Sequence, residues 1–202
     1  MEALQTLVRS SLVKRMKTKR EIRREVLILR DGLSEQEYRM GSLKVADRII
    51  GHQWFYQAEH LLIFVSYGSE IDTSEIITEA LRKGKKVYVP RVEGDVRHFY
   101  RIGSLEELVE GYKGIREPDG TSERYEEERR VERGERVLMI MPGVAFDLRR
   151  NRIGYGKGFY DKYLADKEEL QIYSIGIGFP CQMVEEIPAE ENDIKSYQVI
   201  TG

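Results

Sequence analysis

Between Met141 and Leu164 the chain reads MPGVAFDLRRNRIGYGKGFYDKYL, a stretch that concentrates residues able to handle phosphate. Gly154, Gly156 and Gly158 alternate, which lets the backbone adopt conformations closed to other residues and approach a ligand closely. Arg152 and Lys157 supply cationic donors suited to phosphate, on what reads as a polar loop. Asp161 lies where a helix should start, and reads there as a helix cap. The glycines have two readings, a phosphate cradle or a tight strand-to-helix connection. Their G-x-G-x-G spacing is neither the dinucleotide nor the P-loop fingerprint. Elsewhere, Lys19 and Arg23 lie one helical turn apart in the basic run Lys14 to Arg24. Such a run is either a solvated helix face or a pair gripping a polyphosphate. No aromatic-studded module accompanies it, so RNA binding ranks low. Glu70 by itself is a loop carboxylate. His52, His60, His98 and Cys181 lack metal-ligand spacing, and no histidine can be named to activate Cys181.

These side chains need elements to hold them. Residues from about Leu4 to Leu29 read as one long surface helix, with Leu12, Met16, Ile22, Val26 and Leu29 on one side. Ser34 and Glu37 form a capping box that opens a second helix running toward Ile50. Leu61 to Val65 is a continuous apolar strand, and Asp72 or Thr73 then caps a helix that Gly84 ends. Further strands are predicted over Val87 to Val89, Phe99 to Ile102, Val137 to Met141 and Tyr173 to Ile177, with Pro142-Gly143 stopping the third of these. Strand alternating with helix predicts an α/β fold: a three-layer, open, mostly parallel sheet with helices on both faces, plus the long amino-terminal helix. The glycine-rich loop then falls at the carboxyl end of a strand, where open α/β sheets bind ligands. The charged tract TSERYEEERRVERGER reads as a solvated loop or short helix.

Composition bounds the setting. The 202 residues suit a single domain, with residues 1–31 as its basic amino-terminal helix. A net charge of −2 gives no global pull toward nucleic acid or membrane. One cysteine excludes an intramolecular disulfide and fits a reducing compartment. No apolar run approaches the ~20 residues that span a bilayer. The charged start lacks a signal-peptide apolar region, so a cytoplasmic protein is expected, and a monomer.

The strings PGVAFD and NRIGYGKGFYD together resemble the signature of the 5-formyltetrahydrofolate cyclo-ligase (5,10-methenyltetrahydrofolate synthetase) family. Ile153 and Lys157 are mild departures that remove no group the chemistry needs. The K-x-x-x-R pair Lys19 and Arg23, SYGSEIDTSEII with Glu70, and PAEENDIK with Asp193 follow the family in the same order. The resemblance implies ATP-dependent closure of 5-formyltetrahydrofolate, free or polyglutamylated, to 5,10-methenyltetrahydrofolate with ADP and phosphate released. It implies that Lys19, Arg23, Arg152, Gly154, Tyr155, Gly156, Lys157, Gly158, Phe159 and Tyr160 bind nucleotide. Arg152 and Lys157 would be the catalytic cations, and Glu70, Tyr155 and Phe159 would contact the folate. Asp161 and Asp193 would hold Mg2+, whose hard charge suits carboxylate oxygen. Of Phe159 and Tyr160, one is expected in the core. A phosphosugar-isomerase-like enzyme would need an acid/base pair in place of ATP, and a non-catalytic relative would lose Arg152, Asp161 or Glu70; all three are present.

Overall fold

The computed structural model describes residues 15–94, 96–111, 114–126, 133–165 and 172–202. In chain order come helices α1 (Lys19–Asp31), α2 (Glu35–Ile50) and α3 (Gln53–Gln57), strand β1 (His60–Ile63) and helix α4 (Ser74–Arg82). Strands β2 (Lys86–Glu93), β3 (Val96–Ile102), β4 (Val109–Glu110), β5 (Arg116–Glu117), β6 (Val137–Met141), β7 (Ala145–Phe146) and β8 (Arg152–Ile153) follow. Helix α5 (Phe159–Leu164) and strands β9 (Ile172–Gly178) and β10 (Gln198–Thr201) complete the order.

A six-stranded sheet runs β10-β9-β6-β1-β2-β3. Its neighbours are parallel except β2 and β3, which form an antiparallel hairpin. The mostly parallel sheet predicted from sequence is therefore present, with β10 as an additional edge. Strands β2 and β3 extend beyond their predicted spans because Arg91, Glu93 and Arg97 carry no apolar signal on that edge.

Side chains alternate across a strand, so each strand feeds two cores. Leu61, Ile63, Val87, Val89, Leu138 and Ile140 pack with Val45, Ile49, Ile76 and Ile77 of α2 and α4 on one face. Leu62, Tyr88, Val137, Met139 and Met141 point the other way, toward Tyr160 and Leu164 of α5. At ~1.5–3 kcal/mol per fully buried large side chain, these layers dominate the stabilising side of folding.

Helix α1 corrects the amino-terminal expectation. It starts at Lys19, not near Leu4, and Arg15 to Thr18 lie outside it. Thr18 stops it through a capping box: its hydroxyl accepts the Glu21 N–H at 3.2 Å, and Glu21 accepts the Thr18 N–H at 2.8 Å. The predicted turns over 4–14 fall outside the described residues. Ile22 and Val26 are buried against Val144, Ala145, Ile153 and Ile187. Met16 and Leu29 are exposed, and Arg30 takes the buried position in the last turn. The β7–β8 hairpin covers only the first turns of the stripe; beyond it α1 meets Ser69 and Tyr155.

Part of the charged tract is also packed. Arg101 N–H donates to Glu123 O and Tyr125 N–H to Phe99 O, both at 2.8 Å, so residues 123–125 line the free side of β3. Tyr125 is buried against Tyr88 and His60. The solvated-loop expectation holds for most of residues 121–126, whose side chains are largely exposed, and fails at Tyr125, the aromatic that docks the segment; 127–132 lie outside the described residues.

Candidate active site

The chain leaves β1 toward β2 on one side and leaves β6 toward β9 on the other. Their carboxyl ends thus flank the point where the strand order reverses, and a crevice opens there. Glu70 lies in the loop after β1. The glycine-rich segment follows β6 through the β7–β8 hairpin. A cavity of about 570 Å³ lies between them. That volume is in the range of small-molecule sites.

The loop after β1 is built to hold Glu70. Thr73 donates its hydroxyl to Phe64 O at 2.9 Å and accepts the Ser66 N–H at 3.2 Å, closing the loop on itself. Gly68 sits at φ 59°, where a side chain would be strained. Glu70 Oε2 accepts the Tyr67 N–H at 3.0 Å. Burial pushes the Glu70 carboxyl above the ordinary carboxylate range, while bonds from Tyr155 and Tyr67 and the charges of Arg30 and Arg97 act against it.

The glycine segment rests on a rigid hairpin. Buried Asp147 accepts the Asn151 N–H at 2.9 Å, Asn151 Nδ2 at 2.8 Å and the Ile187 N–H at 3.0 Å. Gly156 and Gly158 take φ 100° and 63°. Gly158 is the residue from which α5 starts, so Asp161 lies in the first turn and does not cap the helix. The cap expectation fails because the left-handed glycine already makes the turn.

Asp161 instead accepts Arg152 Nη2 at 2.9 Å and the Ile194 N–H at 3.3 Å. Arg152 is 7% exposed and sits in β8, not on a polar loop. Its partner Asp161 and the ring of Tyr160 draw it in. Lys157 does stand exposed on the loop. Arg23 Nε donates to Gly154 O at 2.8 Å, so this cation also props the glycine loop. Lys19 is bonded to Asp193, with Glu190 at 3.2 Å. Burial opposes its charge, yet Asp193 and Glu190 outweigh that and hold the ammonium pKa above the ordinary lysine value.

The bond from Ile194 ties Asp161 to the segment that carries Asp193. Their described ion pairs fall on Oδ1 of Asp161 and Oδ2 of Asp193. Two carboxylates completed by water and phosphate oxygens make a donor set that fits magnesium. Among the described residues, no cluster of three or more His, Cys, Asp or Glu stands ready for a metal.

A profile of the 5-formyltetrahydrofolate cyclo-ligase family matches residues 15–202. The chain belongs to this family. It is 30% identical over 190 residues to the 5-formyltetrahydrofolate cyclo-ligase of Mus musculus, covering 90% of this chain and 92% of that one. With the 5-formyltetrahydrofolate cyclo-ligase of Escherichia coli K12 it shares 32% over 175 residues, 83% and 90% of the two chains. The NMR structure of 5,10-methenyltetrahydrofolate synthetase from Aquifex aeolicus superposes with a TM-score of 0.76 at 32% identity, over 90% and 88%. A synthetase structure from Mycoplasma pneumoniae, at 18% identity and a TM-score of 0.72 over 92% and 99%, matches in fold.

In this cyclo-ligase family member, each residue that the family resemblance put at the site lines this cavity: Lys19, Arg23, Glu70, Arg152, Gly154, Tyr155, Gly156, Lys157, Gly158, Phe159, Tyr160, Asp161 and Asp193. Tyr160, 4% exposed, is the core aromatic of its pair. Phe159 is half-buried, and the Arg97 guanidinium lies 4.6 Å over its ring. Sequence reasoning missed Arg97, Tyr67, Glu190 and Arg30. Arg97 sits on an edge strand with no motif, and Arg30 was one more charge in a basic helix. No local signal marks either.

Proposed function

We propose that the protein catalyses the ATP-dependent cyclisation of 5-formyltetrahydrofolate to 5,10-methenyltetrahydrofolate, acting as a ligase that forms a cyclic C–N bond. Convergence carries this reading: in a member of the family, cations from α1, β8 and the glycine loop meet a buried carboxylate from the β1 loop around one cavity.

The chemistry suits that set. The formyl oxygen on nitrogen 5 is a poor leaving group. Transfer of the terminal phosphoryl of ATP to it breaks the bond to ADP and leaves an imidate-like phosphate. Nitrogen 10 then bonds to the activated carbon, phosphate departs with the oxygen, and the proton of nitrogen 10 is lost. No nucleophilic side chain is required, so positioning and electrostatics dominate. We assign Lys19, Arg23, Arg152, Lys157 and the glycine-loop amides to the polyphosphate, and Arg152 and Lys157 to the charge on the moving phosphoryl. Glu70 would accept parallel hydrogen bonds from the pterin edge, beside Tyr155 and Phe159. Asp161 and Asp193 would hold magnesium, which supplies positive charge to the phosphates. Occupation by a cation would compete with the Arg152 and Lys19 ion pairs and release those side chains toward nucleotide. The proposal extends to a single-domain monomer of the cytoplasm with no nucleic-acid or membrane partner, in line with the near-zero net charge.

The deciding experiment follows the absorbance of the methenyl product from purified protein and 5-formyltetrahydrofolate, with and without magnesium-ATP. Product should form only when both are supplied. Absence of product with every component present would overturn the assignment.

A further inference from the structure

Arg30 lies outside the cavity lining, yet it touches the elements that shape one part of it. It lies in the last turn of α1 and is 4% exposed. Its Nε donates to Ser69 Oγ at 2.9 Å, and its Nη2 donates to Tyr155 Oη at 2.8 Å. Ser69, the neighbour of Glu70, in turn donates to Asp31 Oδ1. Helix α1, the β1 loop and the glycine loop therefore meet on one guanidinium.

The direction of these bonds matters. A guanidinium only donates, so Tyr155 must offer Arg30 a lone pair, and its single hydroxyl proton is left to point elsewhere. Glu70 is the acidic neighbour of that hydroxyl, and the interaction between the two side chains works against the burial of the carboxylate. Glu70 also takes the Tyr67 N–H on Oε2. The Tyr67 N–H and the neighbouring Tyr155 hydroxyl restrict the orientations open to the carboxylate. Arg30 Nη1 is buried without a hydrogen-bond partner among the described residues. An unmet buried donor costs stability, which argues that the guanidinium is retained for what it orients.

We propose that Arg30 is a positioning residue for the folate, clamping Tyr155 and the Ser69 turn so that the Tyr155 hydroxyl and the Glu70 carboxylate present one fixed acceptor geometry to the pterin. This rests on the reading of Glu70 as the folate-binding carboxylate. Arg30 would act on folate and leave nucleotide alone, since its contacts run to the Glu70 side of the cavity.

Steady-state kinetics of Arg30→Met, Tyr155→Phe and the double variant test it. The Phe variant keeps the aromatic ring and removes only the hydroxyl. Each single change should raise the folate KM about tenfold and leave the ATP KM in place, as expected for losing a charge-assisted or buried hydrogen bond. The double variant should be no worse than Arg30→Met alone, because both changes break one chain of contacts. An unchanged folate KM in Tyr155→Phe, losses that multiply in the double variant, or an equal rise in the ATP KM would each overturn the clamp. Should Arg30→Met fail to fold, Tyr155→Phe and Ser69→Ala carry the same test, and unchanged folate KM in both refutes it. Glu70→Gln separates the two levels. If it leaves the folate KM unchanged, the folate reading of Glu70 falls. If it raises the folate KM while the Arg30 and Tyr155 variants do not, the clamp alone falls.

Discussion

Arg152 and Lys157 look equivalent as letters near a glycine loop, but their surroundings separate them. Arg152 is buried and holds Asp161 at 2.9 Å, whereas Lys157 stands in solvent. Removing Arg152 leaves a largely buried carboxylate without its counter-charge, a loss that costs ~3 kcal/mol. Removing Lys157 takes away a donor to phosphate worth ~1.5–3 kcal/mol only when nucleotide is bound. Arg152→Ala should therefore lower the melting temperature and activity together. Lys157→Ala should melt like the parent and raise the ATP KM about tenfold. Thermal melts beside kinetics at limiting ATP decide this; parent-like melting of Arg152→Ala would show that its ion pair contributes nothing to the fold.

Helix α1 works as a unit because one element presents Lys19 and Arg23 to the cavity and Arg30 to the loops that shape it. Ile22 and Val26 seat it on the β7–β8 hairpin, and the Thr18–Glu21 box sets where its first turn begins. Losing that cap costs ~1 kcal/mol, or about 3 °C for a chain of this size. The turn that frays is the one bearing Lys19. Thr18→Ala should accordingly lower the melting temperature by that amount and raise the ATP KM, and Thr18→Ser, which keeps the cap, should restore both. Equal behaviour of the two variants would detach the cap from nucleotide binding.

At the scale of the molecule, the sheet and the hairpin that bears the glycine loop are joined around Phe146, which is fully buried. Its ring occupies space kept clear by Gly143, Gly176 and Gly178. A methyl group at Gly176 would stand 2.5 Å from the ring, and one at Gly143 2.4 Å. Gly176 is in the sheet strand β9, so crowding there would push the hairpin away from the sheet and misplace Arg152 and the loop beyond it. Overpacking of this kind costs ~1–3 kcal/mol. Gly176→Ala should destabilise the protein by that amount in denaturant unfolding and reduce kcat/KM for both substrates. A stable variant with full activity would mean that the junction yields without cost.

The local patterns were decisive where physics is local. Buried parallel strands such as Val137–Met141 are apolar runs whatever surrounds them. The Ser34–Glu37 box announces a helix start within four letters, and left-handed turns at Gly156 and Gly158 demand glycine. The same kind of box, Thr18 with Glu21, marks the start of α1, a signal that the reading of one helix over Leu4 to Leu29 does not use. The family signature likewise resides in contiguous residues, so most residues that line the candidate site were legible before any fold. What distance in sequence hides is partnership. Arg152 became a buried ion pair because Asp161 returns on the first turn of α5, and Asp193 reached Lys19 from the far end of the chain. Arg30 and Arg97 carry the same charge as their solvated neighbours; only the packing of α1 and β3 against Tyr155 and Phe159 buries the first and partly buries the second. Burial and hydrogen-bond direction are properties of the assembled structure, and they decide which of many identical charges acts on the site.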